Sequence, residues 1–148
     1  MPLSMENQDT KELLKYCNAG CKMATDSLEQ VMPYASDKEF RQMLEKYDKD
    51  HIAIGDRCHT MLNDCHEEEE DPSIMAKMMS YFGTEMKMLA NRNDKEIAKI
   101  MMDGCNMGIQ SLCGYLNQYQ EADKECRKLT QDLVDIEFAF MKDLVSYL

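Results

Sequence analysis

The side chains able to do chemistry are few, and they fall into patterns. Three histidines and seven cysteines are spread over 148 residues. His51 follows Asp48 by three positions, so a carboxylate and an imidazole stand about one helical turn apart. Cys17 and Cys21 are also one turn apart on a single face, and thiolates in that arrangement suit Cu(I) or zinc. A buried thiol is equally a small hydrophobe, so the cysteines admit packing as well as ligation. Met75, Met78, Met79, Met86 and Met88 could line a soft-metal site or fill an irregular core or partner surface. Cysteine with histidine also raises nucleophilic catalysis. However, the chain has no strand-to-helix nucleophile turn and no glycine-rich phosphate loop, so a non-catalytic role is expected.

Helices must position these groups. Phe40, Leu44, Tyr47, His51, Ile54, Cys58, Met61 and Cys65 follow one another at alternating steps of four and three, the signature of one long amphipathic helix with an inward stripe. His51, Cys58 and Cys65 are carried inward with it, while His59 and His66 fall beside it and are expected in solvent. Leu14, Cys17, Cys21, Ala24, Leu28 and Val31 form a second such seam. Ile97, Met101, Cys105, Gly108, Leu112 and Tyr115 form a third, and Cys126, Leu129, Leu133, Ile136, Phe140 and Leu144 a fourth.

Boundary signals divide the chain. Asp9 with Glu12, Ser36 with Glu39 and Asn93 with Glu96 are candidate capping boxes, and Asp71–Pro72 reads as N-cap and first helical residue. The acidic run Glu67 to Asp71 reads as a solvated connection. The resulting helices span about 9–34, 37–66, 72–90, 94–118 and 122–147, with the final break inside the polar stretch Asn117 to Lys124. Gly20, Gly55, Gly104 and Gly108 lie within helices, where close approach of a neighbour is the usual compensation.

Composition agrees with an all-α single domain over 1–148: six glycines, three prolines and fifteen methionines leave little material for sheet and turn. The net charge of −11, without a basic cluster, argues against nucleic acid and against an anionic membrane surface. The first fourteen residues carry no basic start followed by an apolar block, and no apolar run reaches the roughly 18 residues of a membrane span. A cytoplasmic location is expected, and seven cysteines there read as thiols or metal ligands rather than disulfides.

Four long helices in two hairpins with a long connection between them resemble the ferritin-like superfamily. The segment AKMMSYFGTEMKMLANRNDKEIAKIMMDGCNMGI is similar to the middle of small, uncharacterised bacterial ferritin-like proteins. The resemblance implies an up-down four-helix bundle with an additional crossover helix between the second and third long helices. It also implies a di-iron pattern of two carboxylates and two Glu-x-x-His pairs. This chain departs from that pattern. Asp48 stands where Glu is expected before His51, and the last helix offers only Asp132, Asp135 and Glu137 with no histidine. Asp26 and Asp103 are rotated away from the seams. The inward cysteines also look like a sparse version of the bacterial copper storage bundles.

With ferritin-like connectivity, counting residues from the helix ends brings Cys21, His51, Cys105 and Asp135 to one level, with Asp48 beside them. Such a set favours zinc or Cu(I) over iron. Two functions follow: a structural or interaction bundle without an intact di-iron centre, and a bundle binding zinc or Cu(I) through Cys and His. No other cofactor is expected. The Met-rich crossover helix suggests a homo-oligomer, such as a dimer, or a protein partner.

Overall fold

A computed structural model describes residues 7–65, 67, 73, 74, 76 and 93–148, and the regular elements among them are helical. The long ones are α1 (Gln8–Val31), α2 (Lys38–Asp64), α3 (Asp94–Gln118) and α4 (Lys124–Leu144). Short 3-10 turns follow α1 at Met32–Tyr34, where Pro33 stops the helix, and α4 at Val145–Tyr147. Of the helix expected near 72–90, Ser73, Ile74 and Ala76 are helical; the remainder, with its methionines, lies outside the described residues, as does His66. No described helix is long and apolar enough to cross a membrane.

Two of the expected caps shift. Asn7, not Asp9, caps α1 by accepting from the amide of Thr10, and Asp37, not Ser36, caps α2 by accepting from the amide of Phe40. In both cases another residue able to cap stands close by, and the sequence alone does not rank the two. Asn93 caps α3 by accepting from the Glu96 amide, as its spacing predicts. The break between α3 and α4 falls within 117–124 and is held by Arg127, whose guanidinium donates to the carbonyls of Leu116 and Tyr119 at 2.9 and 3.0 Å. Those carbonyls belong to the final turn of α3 and would otherwise lack partners.

Contacts between the helix ends set the directions. Asp94 opens α3 and accepts from the Ser36 amide at 2.8 Å, the Ser36 hydroxyl at 3.1 Å and the Asp37 amide at 3.0 Å, so α3 begins beside the α1–α2 turn. At the other end, Asn7 donates to the Glu121 carbonyl at 2.8 Å, and the Asp123 amide donates to the Thr10 hydroxyl at 2.8 Å. The α3–α4 turn therefore sits beside the start of α1. It follows that α1 and α4 run one way and α2 and α3 the other. The closest packing is within the α1–α2 and α3–α4 hairpins, and α1 with α3 and α2 with α4 complete the ring. The chain between Cys65 and Asn93 joins opposite ends of helices roughly 40 Å long.

The core has two apolar halves. One gathers Leu13, Leu14, Cys17, Cys58, Leu62 and Leu129 with their neighbours; the other gathers Leu28, Phe40, Leu44, Tyr47, Ile97 and Phe140 with theirs. Half-buried Ile136 packs against both. Aromatic pairs hold α4 and its trailing turn on α2: Tyr47 stacks on Phe140 with centroids 4.4 Å apart, and Phe40 meets Tyr147 at 4.5 Å.

A buried histidine–carboxylate pair beside a cavity

Between the two apolar halves lies a polar pair. The α2 seam turns His51 fully inward, and α4 presents Glu137, only 7 % exposed, from the opposite wall. His51 Nε2 and Glu137 Oε1 are hydrogen-bonded partners. The other ring nitrogen, Nδ1, lies 2.6 Å from the Tyr47 carbonyl. A carbonyl oxygen only accepts, so Nδ1 carries a hydrogen, and a single further proton is shared between Nε2 and Oε1. The pair is thus neutral overall, either as imidazolium with carboxylate or as imidazole with carboxylic acid. Burial works to lower the His51 pKa, but the hydrogen bond and charge of Glu137, the Tyr47 carbonyl and Asp50 outweigh it, leaving His51 above its usual value.

Cys105 of α3 completes the group. Burial first, and then the charge and hydrogen bond of Glu137, raise its thiol far above the ordinary range, so it is a neutral S–H donor rather than a nucleophile. Beside these residues is a cavity of about 70 Å³ between α1 and α3. Its floor includes His51, Leu133, Glu137 and Phe140, and its walls include Met23, Leu28, Met101, Cys105 and Leu112. The rim carries half-buried Gly20, Ala24, Gly104, Gly108 and Ser111. Small residues on both facing helices leave the gap unfilled. A Cβ added at Gly108 would lie 3.5 Å from Glu137 Oε2. Tyr16 of α1 and Tyr115 of α3, stacked at 3.8 Å, wall the gap toward the α3–α4 turn.

A second cluster lies one turn along the bundle. A Cβ at Gly55 would be 3.4 Å from the Cβ of Cys21, which places Cys21 level with Gly55, four residues beyond His51 on α2. There the buried thiols of Cys17, Cys21 and Cys58 interact with one another. Donation from Cys21 and Cys58, with help from Thr130, lowers the Cys17 thiol against the opposing effect of burial, while Cys21 and Cys58 are raised. All seven cysteines are free thiols.

No family model, curated protein or solved structure matches the chain.

The expected four-residue layer divides. His51 and Cys105 share the polar layer, whereas Cys21 belongs to the thiol cluster one turn away. Asp135 is in neither: it is exposed and accepts from Gln131 at 3.0 Å. The inward positions of α4 here are Leu133, Glu137 and Phe140, and Asp135 lies about 200° round the helix from Glu137. Asp48 is nearly buried but turns away from the cavity, and its Oδ1 has no hydrogen-bond partner among the described residues. Burial and then the charge of Glu29 on α1 raise its carboxyl, which His51 partly opposes. Among the described residues no group of three or more His, Cys, Asp or Glu side chains is placed to hold a metal ion. The apolar seam predicts Ile136 for the inward stripe, whereas the structure buries Glu137 beside it. Glu137 was recoverable from spacing alone, since Leu133, Glu137, Phe140 and Leu144 keep the steps of four, three and four.

Proposed function

We propose that this protein is a ferritin-like bundle whose central di-iron pattern has been dismantled, and that it acts as a non-catalytic structural or binding protein. The observation that carries this reading is the engagement of Glu137 by His51. In the di-iron pattern, two helices each carry Glu-x-x-His and the other two each carry one Glu. Here α2 carries Asp48-x-x-His51 and α4 carries Glu137-x-x-Phe140. The facing positions of α1 and α3 at the cavity are Ala24, Ser27, Gly104 and Gly108 rather than carboxylates. A phenyl ring replaces one imidazole, the remaining imidazole is hydrogen-bonded to Glu137, Asp48 is turned away from the cavity, and empty space lies where other ligands would stand. The shared direction of α2 and α3, with a connection that passes between opposite ends of the bundle, supports the same kinship.

The test is anaerobic loading with Fe(II) followed by oxygen. The expected result is no stoichiometric iron and no rapid oxidation above the buffer rate. Two irons retained per chain with a fast oxidation phase would overturn the reading.

A second reading, a zinc or Cu(I) bundle, is favoured by the mutual contact of Cys17, Cys21 and Cys58. Three thiols suit Cu(I), although they would have to re-orient to surround an ion. Metal content after anaerobic purification decides between the two.

A further inference from the structure

The cavity beside Glu137 has a definite size, polarity and hydrogen-bonding pattern. Its volume is about 70 Å³. By the same measure one water needs ~10–15 Å³, so the space amounts to roughly five waters. A dry apolar cavity of ~150 Å³ accepts a whole benzene-sized molecule, about twice this volume, so a guest of that size fits here with part of it in the open entrance between α1 and α3. The walls suit such a guest: Met23 and Met101 offer adaptable, polarisable thioethers, and Leu28, Leu112 and Phe140 offer hydrocarbon.

The polar floor narrows the choice further. The His51–Glu137 pair carries no net charge wherever its shared proton sits, so a charged guest would be buried without a counter-ion, which is costly. A neutral guest avoids that cost. Oε1 of Glu137 is engaged by His51, and the Cys105 thiol also hydrogen bonds with this carboxylate; Oε2 is turned toward Gly108 on the rim and, with two lone pairs, has room for a further donor. That oxygen accepts a hydrogen bond in either protonation arrangement of the pair. The guest that fits is therefore apolar over most of its surface and has one hydroxyl donor.

We propose that this cavity is a binding site for a small neutral aromatic or aliphatic alcohol of about six to eight heavy atoms, with its hydroxyl donating to Glu137 Oε2. The proposal rests on the reading of the bundle centre as free of metal. Glycine at 108 keeps Oε2 reachable, and Ala24 and Gly104 keep the entrance between α1 and α3 open.

The test uses the full-length protein with methionine methyl groups labelled for NMR, titrated with phenol and, separately, with benzene as the isostere lacking the hydroxyl. The methyls of Met23, Met101 and Met107 should shift saturably at one phenol per chain, while Met61, in the other half of the core, stays in place. Benzene should bind about tenfold more weakly, the scale of one hydrogen bond to a buried acceptor. Ala24→Leu, which fills the entrance, should lower phenol affinity more than tenfold, while Phe138→Ala on the exposed face should leave it unchanged. If Ala24→Leu does not fold, contacts between phenol ring protons and the Met23 and Met101 methyls in the unaltered protein carry the same decision. Absence of saturable binding, equal affinity for phenol and benzene, or shifts centred on Met61 would overturn the proposal. Metal analysis of the same sample separates the failures: stoichiometric metal defeats the reading of the centre, whereas a metal-free sample that ignores phenol defeats only this site.

Discussion

The amide of Ser36 donates to the carboxylate of Asp94 at 2.8 Å across 58 positions of sequence, tying the α1–α2 turn to the first residue of α3. The same carboxylate takes the Ser36 hydroxyl and the Asp37 amide, so one side chain satisfies three donors at the bundle's end. Asp94→Ala is expected to cost about 0.5–1.5 kcal/mol in urea unfolding, because the Ser36 and Asp37 amides are exposed and water can replace their lost acceptor. Burial alone would raise the Asp94 carboxyl, but the bonds from Ser36 and Asp37 and the charge of Arg41 bring it below the usual range. A lowered folded pKa makes this stabilisation complete above the unfolded value near 3.9 and lost as pH falls through the folded value. The gap between wild type and Asp94→Asn should therefore close under acid.

His51 gives the opposite dependence. Its folded pKa is raised, so its proton is held more tightly in the folded state than in the unfolded one. The stabilisation is complete below the unfolded value near 6.5 and disappears as pH rises through the folded value. Denaturant titrations from pH 6 upward should show the advantage of wild type over His51→Gln shrinking. Glu137, Cys105, Cys17, Asp48 and Asp50 are ionisable groups facing or flanking the ring, and Glu137→Leu should cost about 1–3 kcal/mol because it leaves Nε2 of a buried imidazole without a partner.

Thiol labelling provides a direct check on burial. Cys17, Cys21, Cys58, Cys65, Cys105 and Cys126 are each at most 2 % exposed, while Cys113 is half-buried. A short pulse of iodoacetamide on the native protein should modify Cys113 first and leave those six unmodified; the same pulse in concentrated urea should modify all seven. Mass spectrometry of the peptides reads the result.

Two glycines separate helix propensity from packing. Nothing stands within 4 Å of a Cβ built on Gly114, so Gly114→Ala should stabilise the protein by about 0.5–1 kcal/mol. At Gly55 the new methyl would meet the Cβ of Cys21 at 3.4 Å, so α1 must yield and the gain should be smaller or reversed. Thermal unfolding of the two variants compares them.

Much of the architecture was legible in the seams. The alternating steps from Phe40 to Cys65 place His51 and Cys58 inward, and both are buried. The break after Gln118 also falls where polar residues interrupt the apolar pattern. The site was less legible, for two physical reasons. An inward charge is invisible to a search for apolar periodicity, so Glu137 was passed over for Ile136. Height along a helix is also uncertain by about a turn when only end residues are counted, and that single turn separates Cys21 from His51. The space beside Glu137 depends on small residues of α1 and α3, Ala24 and Gly108 among them, lining one gap, which no local pattern within either helix reveals.

The polar pair between the two apolar halves also fixes how the helices are threaded against one another. Apolar ridges tolerate sliding, since one leucine contacts another leucine nearly as well as its own partner. His51 and Glu137 do not. If α4 slipped by one turn along α2, Leu133 or Met141 would face the imidazole, and both members of the pair would be buried without a partner. Every misaligned packing of these amphipathic helices thus carries a penalty that the correct alignment escapes, so a pair that adds little net stability still selects one register.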